Sequence, residues 1–446
     1  MNLITFILTA LLWLDLPRGC LSQPDACEDV LQARLDCYDT DGPCDPLPIP
    51  TSAFGMQPDP SKGYTIVGLR EGIYAIGEGS YWMMAAVAPL TKQSDRRRYL
   101  KKKMTMLKKK KKKHMMTKHS KMSKSANSES SSDTDKYTGY QVVVFDFPEG
   151  SFVQRDSTGA VVGSLITTAL DEIVFGTHGL TAKDIAKVSM VYSHQHFDHI
   201  GGAAIVYDHI VSHWQPRKID VIGQAVVKEE FEARIKSDFF SFRAPIPNVL
   251  VEDEVATFSI GAVYEYTLTP LSGHTTEKDL VVFIEKDVKT GDPAIMMYVD
   301  VIFPGWAPFF SFAITTDIFN YLQAHVFLLE KFDLGDDGIF VGGHLAKLGS
   351  RFDIETSLAF AQSVMAGAQL GLQQVDFNAI VAASGVADPN SNKLGNSWLL
   401  FDEYFKAVVK ICAKQVVAEW GCKLGAVDVV VDSHCRSAQS FWRVDY

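Results

Sequence analysis

The sequence contains no cysteine between Cys44 and Cys412 and no CxxC pair, which excludes the usual cysteine-based zinc knuckle. Apart from Cys20, the cysteines lie near the two chain ends, namely Cys27, Cys37, Cys44, Cys412, Cys422 and Cys435. An even set of this kind predicts disulfides formed in an oxidising compartment, although six cysteines allow about 15 pairings. Free thiols in a reducing compartment are the alternative.

No uninterrupted apolar stretch reaches the roughly 20 residues that a membrane helix needs. The strongest run, LITFILTALLWL at residues 3–14, is shorter and is followed by charged residues and Pro17. Cys20 and Ser22 are small enough to allow cleavage of a signal peptide after residue 22. We therefore predict a secretory signal peptide at residues 1–22, a secreted or lumenal location and no membrane span. A membrane anchor is the alternative.

Acidic residues are nearly missing from residues 92–124, which hold 16 of the 43 Lys and Arg residues and only Asp95 as an acid. The remainder of the chain is strongly acidic. With the Ser-rich stretch that follows, residues 92–136 form a low-complexity Lys-rich insert that is predicted to be solvated and disordered. Binding to anionic surfaces or polymers, or folding back on the acidic body, is the alternative. The shortage of aromatic residues in the insert argues against a nucleic-acid partner.

Strand-like patterns flank the insert, at residues 64–78 and 81–90 before it and at 140–150 after it. The insert is therefore predicted to extend a hairpin within one sheet. Residues 164–175 predict a helix, and the β-branched run that ends at residues 188–193 predicts a buried strand. This succession predicts an α/β fold, in which ligands gather at the carboxyl ends of strands.

The segment VYSHQHFDHIGG, residues 191–202, lies at the carboxyl end of that buried strand. It places four side chains able to bind metal in six positions, namely His194, His196, Asp198 and His199. If they were merely buried, these groups would repel one another or lack partners, whereas a divalent cation would satisfy them all. Gly201 and Gly202 would let the next helix approach the sheet closely. A surface cluster or a pair of core histidines is the alternative.

This segment resembles the HxHxDH signature of the metallo-β-lactamase fold superfamily. Later residues match further motifs of that family in order: His274 in SGHTTEKD, Asp300 at the end of AIMMYVD, and His344 in IFVGGHL. Asp146 in VVVFDFPEG matches the carboxylate that closes an early strand and orients the ligands. The resemblance covers about residues 60–350. It implies a four-layer αββα sandwich.

The resemblance also implies two zinc ions per chain. The first ion would be held by three histidines, namely His194, His196 and His274. The second would be held by Asp198, His199 and His344, with Asp300 bridging the two ions. Asp198 is the candidate catalytic residue that holds the attacking water. Iron suits the same donors. The shared Asp of the family commonly follows Gly, whereas Asp300 follows Tyr298 and Val299. The sequence thus departs from the family pattern next to the residue that is expected to bridge the two ions.

The activity implied is hydrolysis by a hydroxide held between two cations. A carboxylate at Asp300 resembles the thioesterase and lactonase branches, so an ester, a thioester, a lactone or a related bond is the expected target. The loop FPGWAPFFSF, residues 303–312, brings aromatic side chains to the same sheet end. Four of them are predicted to line an apolar pocket for an acyl or lactone substrate, namely Phe303, Trp306, Phe309 and Phe310. Core packing is the alternative.

Beyond His344 the pattern is helical, with amphipathic runs at residues 351–372 and 401–422 and a turn-rich linker at 386–397. The predicted organisation has four parts: the signal peptide at 1–22, a Cys-containing extension at 23–60, a metallo-β-lactamase-like domain at 61–350 and a helical C-terminal extension at 351–446.

Two other functions remain compatible with the sequence. They are an iron-dependent oxygenase on the same fold and a non-catalytic secreted binding protein. Histidines without a motif around them are predicted to be structural, namely His178, His209, His213, His325 and His434.

Overall fold

The structure is a computed structural model. It describes residues 25–40, 45–78, 80–90, 139–148, 153–155, 161–236, 244–252, 254–274, 279–345 and 347–444. The predicted signal peptide, the Lys-rich insert and Cys44 lie outside the described residues.

The strands form two main sheets and a separate hairpin. The first sheet has the order β1-β2-β3-β4-β7-β8-β9. Its strands are β1 Thr65–Arg70, β2 Ile73–Gly77, β3 Trp82–Leu90, β4 Gly139–Phe145, β7 Ile185–Val191, β8 Lys218–Gln224 and β9 Val249–Val251. The second sheet has the order β10-β11-β12-β13-β14. Its strands are β10 Ala256–Ile260, β11 Tyr264–Leu271, β12 Asp279–Ile284, β13 Ile295–Met297 and β14 Ile339–Val341. The hairpin pairs β5 Val153–Arg155 with β6 Val161–Ser164.

Side-chain alternation along the strands shows how the sheets pack. In β4, Val143 and Phe145 enter a cluster of apolar residues shared by both sheets. Val142 and Val144 point the other way, into a cluster shared with helices. Successive side chains of a strand face opposite sides of the sheet, so each sheet has one face on its partner sheet and one on helices. The second sheet follows the same rule, because Val282 of β12 joins the shared cluster and Val281 joins a helical one.

The helices are α1 Asp25–Cys37, α2 Leu165–Asp171, α3 Phe197–Ile200, α4 Ala203–His209, α5 Ala225–Lys236, α6 Phe310–Ile314, α7 Ile318–Lys331, α8 Arg351–Gln374, α9 Phe377–Ser384, α10 Ser397–Trp420 and α11 Val427–Val444. Wider π-type turns extend α2 through Glu172–Thr177 and α4 through Ile210–Trp214. Short 3-10 turns lie at Thr51–Ala53 and Ala182–Asp184.

Helices α2, α4 and α5 cover the outer face of the first sheet. Helices α7, α8, α10 and α11 cover the outer face of the second. The molecule is therefore a four-layer αββα sandwich, which confirms the predicted fold class. The helical C-terminal part is confirmed as well, and α9 is a short additional helix just before the predicted linker. Among the described residues, no helix is both long and apolar enough to span a bilayer.

Local sequence explains where the C-terminal helices begin. Ser350 and Asp353 form a reciprocal capping box at the start of α8, in which each side chain accepts from the other residue's backbone N–H. The Asn396 side chain accepts from the backbone N of Leu399 at 3.1 Å and caps α10. These caps satisfy backbone donors that the first turn of a helix leaves open.

Strands β3 and β4 are antiparallel neighbours, paired from Met84 opposite Phe145 to Leu90 opposite Gly139. The Lys-rich insert connects these two strands, so the prediction that it extends a hairpin within one sheet is confirmed.

A disulfide joins the N-terminal extension to the C-terminal helices, and another lies within the C-terminal part. Cys27 of α1 is bonded to Cys422, and Cys412 of α10 is bonded to Cys435 of α11. Cys37 is also disulfide-bonded. Noncovalent contacts reinforce the junction, since Arg34 Nε lies 3.1 Å from Asp428 Oδ2. The predicted disulfides are confirmed for Cys27 with Cys422 and for Cys412 with Cys435.

Replacing Cys27 and Cys422 together by alanine should lower the free energy of unfolding by about 2–4 kcal/mol, because the unfolded chain loses a cross-link between distant residues. Guanidinium unfolding followed by circular dichroism measures the change. Wild-type protein reduced with dithiothreitol should lose at least as much. Equal stability of the oxidised wild type and the double variant would contradict a stabilising role for this bond.

Candidate metal centre

The histidine-rich segment leaves the sheet where β7 ends. His194 and His196 occupy the loop, and helix α3 carries Asp198 and His199. Gly202 follows, and its backbone N donates to Phe147 O at 2.9 Å. A Cβ at Gly202 would lie 2.7 Å from the backbone oxygen of Pro148, so the predicted close approach depends on glycine here.

Three further residues arrive from the second sheet. His274 follows β11, Asp300 follows β13 and His344 follows β14. Strands β11 and β13 are both antiparallel to β12, and β14 is parallel to β13, so these three carboxyl ends share one edge. Gly343 has a φ of +85°, which a side chain rarely tolerates, and it directs the chain into His344.

The seven residues converge into two groups that share Asp300. One group is His194, His196, His274 and Asp300. The other is Asp198, His199, His344 and Asp300. Within each group the potential ligand atoms all lie within 4.8 Å of one another. The structure thus brings together every side chain for which a metal role was predicted.

Asp300 lies between the two groups. Its Oδ1 is 3.0 Å from His199 Nε2 and 2.8 Å from His344 Nε2. Its Oδ2 is 3.3 Å from His194 Nε2 and 3.4 Å from His274 Nε2. The residue has a φ of 65°, a left-handed conformation that aspartate adopts more readily than most residues. Although Tyr298 and Val299 stand where the family commonly has Gly, the Asp300 carboxylate therefore still lies between the two groups.

The contacts within the centre fit a cation better than they fit hydrogen bonds. The Nε2 atoms of His199 and His344 face each other at 3.0 Å, and His274 Nε2 lies 3.0 Å from His196 Nδ1. Among the described residues, His194 Nε2 and Asp300 Oδ1 are buried without any contact of hydrogen-bond geometry, despite their short distances to neighbours. Buried polar atoms are normally satisfied, and imidazole nitrogens and carboxylate oxygens this close together are the ligands that a divalent cation accepts, so the residues of the centre fit a metal ion.

Charges in the centre favour a cation. Burial would raise the pKa of Asp300, but His199 and His344 hold that pKa well below its usual range, so the carboxylate stays ionised. Burial lowers the pKa of His274 to about 3, so its imidazole is neutral near pH 7. Burial would also lower the pKa of His199, yet Asp300 and Asp146 raise it overall. Positive charge is therefore stabilised where the ligand atoms meet.

A second set of contacts fixes the imidazole orientations. Asp146 Oδ2 lies 2.9 Å from His199 Nδ1, and Asp146 Oδ1 accepts from the backbone N of Ser193 at 3.2 Å. Ser193 Oγ lies 2.9 Å from His194 Nδ1. With Nδ1 engaged in this way, both rings present Nε2 to the centre. Asp146 thus contacts a ligand candidate as the resemblance implied.

A cavity of about 400 Å³ opens above the centre. Its floor includes His196, Asp198, His274, Asp300 and His344. Its walls are largely apolar and include Phe303, Trp306 and Phe309. Phe303 also belongs to the hydrophobic core and Trp306 packs against that core, so both residues contribute to core packing as well as to the cavity wall. Phe310 is not among the residues that line this cavity; its ring packs edge-on against Phe309, and 41% of the residue is exposed.

Sequence reasoning missed several wall residues. The Tyr81 ring lies 4.6 Å from the His344 ring, measured between centroids. Ala426 and Val430, at the start of the last helix, close another side of the cavity. These are ordinary apolar positions in strand and helix patterns, so no local signal distinguishes them. Only the packing of the C-terminal helices onto the second sheet brings them here.

Comparisons with known proteins return solved structures. The chain is 12% identical to a structure of the metallo-β-lactamase DIM-1 exposed to ceftazidime, with a TM-score of 0.38, covering 66% of this chain and 95% of that one. It is 12% identical to a β-lactamase domain protein from Burkholderia ambifaria, with a TM-score of 0.40, covering 79% and 89%. It is 11% identical to LRA-12, a class B3 di-zinc metallo-β-lactamase from an Alaskan soil metagenome, with a TM-score of 0.32, covering 81% and 100%. A scan of protein-family models and a search of curated proteins gave no match.

The variant Asp146→Asn should weaken metal binding by about 10- to 100-fold, because His199 loses the carboxylate that orients its ring. Competition with a chromogenic metal chelator measures the affinity. Asp220→Asn is a matched control, since Asp220 is a buried carboxylate that pairs instead with Lys187 at 2.8 Å. Equal metal affinity in the folded Asp146 and Asp220 variants would contradict the orienting role.

Proposed function

We propose that this protein is an exported, binuclear metal-dependent hydrolase. The observation that carries the proposal is the convergence of seven side chains into two four-residue groups that share the Asp300 carboxylate. Imidazole and carboxylate are the ligands found in catalytic zinc sites, which keep a coordination position for water. The proposed ligands are His194, His196 and His274 for one ion, Asp198, His199 and His344 for the other, and Asp300 for both.

Zinc is the proposed metal, and iron is the alternative that the same donors would accept. When bound, the two cations would lower the pKa of a water molecule and polarise the substrate carbonyl. The chain supplies the rest. Asp300 keeps the two ligand groups together, and Asp146 holds the His199 ring in place.

Asp198 is proposed to hold the attacking water. Its side chain lines the cavity and is 42% exposed, whereas the side chain of Asp300, which also lines the cavity, is only 7% exposed. Its Oδ2 lies 3.4 Å from His199 Nε2 and 3.5 Å from His344 Nε2. Burial raises the pKa of Asp198, but these imidazoles hold it below its usual range, so the carboxylate is ionised and can accept a hydrogen bond from a water molecule. In the hydrolysis, the water oxygen would bond to the acyl carbon, the leaving-group bond would break, and the proton released by the water would go to the leaving group, while Asp198 holds the water in position.

The proposed substrate is a small molecule with an ester, thioester, lactone or related bond attached to an apolar acyl part. The support is the cavity wall of Phe303, Trp306 and Phe309 beside the metal ligands. A purely binding role would not require all seven ligand candidates. Export is proposed from the N-terminal apolar run together with the disulfides at the chain ends.

Protein purified without added metal should contain about two zinc ions per chain, because two ligand groups are complete. Plasma emission spectrometry measures zinc and iron together. Asp300→Asn should lose most of both ions, since the shared carboxylate belongs to each group. Stoichiometric iron with little zinc would support the oxygenase alternative instead.

Wild-type protein should hydrolyse at least one member of a panel of acyl esters, thioesters, lactones and phosphodiesters. His196→Ala should reduce kcat/KM by about 100-fold or more, since one ion loses a ligand that also lines the cavity. His213→Ala is the matched control, because His213 is an exposed histidine that contacts Ser212 and His209 instead. A metal-loaded, folded wild type without turnover on any substrate would count against a hydrolase.

A further inference from the structure

Helix α6 is a single left-handed turn in the wall of the cavity. Ser311, Phe312, Ala313 and Ile314 have φ values between 53° and 58°, and none of them is glycine. A side chain makes this conformation unfavourable at each residue, and runs of such residues are uncommon. The surrounding structure must therefore hold the turn in place.

Two neighbouring residues of α11 hold it. The backbone N of Phe312 donates to His434 Nδ1 at 2.8 Å, and His434 Nε2 donates to the backbone O of Pro308 at 3.0 Å. The backbone N of Ser311 donates to Ser433 Oγ at 2.9 Å. Because Nδ1 accepts and Nε2 donates, these partners assign His434 to one neutral tautomer. Its imidazole therefore links Pro308, before the turn, to Phe312 in the middle of α6.

Water cannot reach the His434 side chain and so cannot replace its two hydrogen bonds. His434 is fully buried, and its ring packs against Phe312 at 5.0 Å and Phe360 at 5.7 Å between centroids. Burial lowers the pKa of His434 to about 3, so the neutral form that makes both bonds is the form present at ordinary pH. Truncating this side chain would leave a buried backbone N–H without a partner.

The turn shapes the cavity, whereas His434 does not line it. Phe309, Ala313 and Ile314 are wall residues opposite the ligand floor, and His434 bonds to the backbone between them. We propose that His434 is a positioning residue that sets the apolar wall of the cavity and thereby the preference for substrates with long apolar groups. The expected effect of His434 on ester kinetics rests on the proposed function. The expected effect on binding of apolar molecules in the cavity rests on the geometry alone.

The kinetic test uses 4-nitrophenyl esters from acetate to octanoate and the full chain. His434→Ala should raise KM for octanoate by roughly tenfold and leave kcat and KM for acetate within about twofold, because only long acyl groups reach the turn. His434→Asn retains a hydrogen-bond acceptor near the position of Nδ1, so its KM for octanoate should rise less than that of His434→Ala. This variant also replaces His434→Ala in the test if the alanine variant does not fold. His325→Ala is the matched control, since His325 is also fully buried and also bonds twice, to Tyr321 O and Ser357 Oγ. Equal losses for acetate and octanoate, or the same pattern in His325→Ala, would overturn the assignment.

A binding measurement separates this inference from the proposed function. The fluorescence of N-phenyl-1-naphthylamine, a neutral apolar dye, reports occupation of the cavity in zinc-loaded and chelator-stripped protein. The dye should bind His434→Ala at least about fivefold more weakly than it binds the wild type and the His325 variant, and His434→Asn should show a smaller loss, whether or not any ester is hydrolysed. Unchanged dye affinity in folded His434→Ala would refute the positioning role, and an affinity loss without ester turnover would refute only the hydrolase.

Discussion

Asp300 is the contact on which the centre depends, because its carboxylate touches histidines carried by both sheets. Its position requires the sheets to meet in one register at this edge. Backbone bonds enforce that register: Leu280 N donates to Ser193 O at 2.9 Å, and Trp82 N donates to Gly343 O at 2.8 Å. Since both bonds lie beside ligand candidates, a shift of one sheet against the other would separate the two halves of the centre. The geometry of the site therefore depends directly on how the two sheets pack against each other.

Much of the centre was predictable from the sequence, for a physical reason. His194 to His199 are close in sequence, and four donors in six positions have few uses other than metal binding. His274, Asp300 and His344 could be placed because each follows an apolar strand, in the order of a known family. The strand-like patterns around the insert and the β-branched run before the histidines likewise predicted strands and an α/β arrangement.

The remainder depends on tertiary packing. Tyr81, Ala426 and Val430 reach the cavity only because the first sheet and the last helix converge on it. Local sequence could not predict the left-handed turn at α6, because no glycine marks it and its support lies more than a hundred residues later, at Ser433 and His434. The sequence also could not show which of the four aromatic residues in the loop line the cavity. Phe310 was predicted to do so, but it is not among the lining residues.

The bond between Cys27 and Cys422 ties the start of the described chain to its end. The stretch between β3 and β4, where the lysines concentrate, lies inside the closed covalent ring that results. A protease that recognises basic residues and cuts there would produce two polypeptides that cannot separate, because Cys27 belongs to one and Cys422 to the other. The fragments would also stay paired along β3 and β4. Such cleavage would convert the protein into a covalently joined two-chain form with every ligand of the centre on the larger fragment.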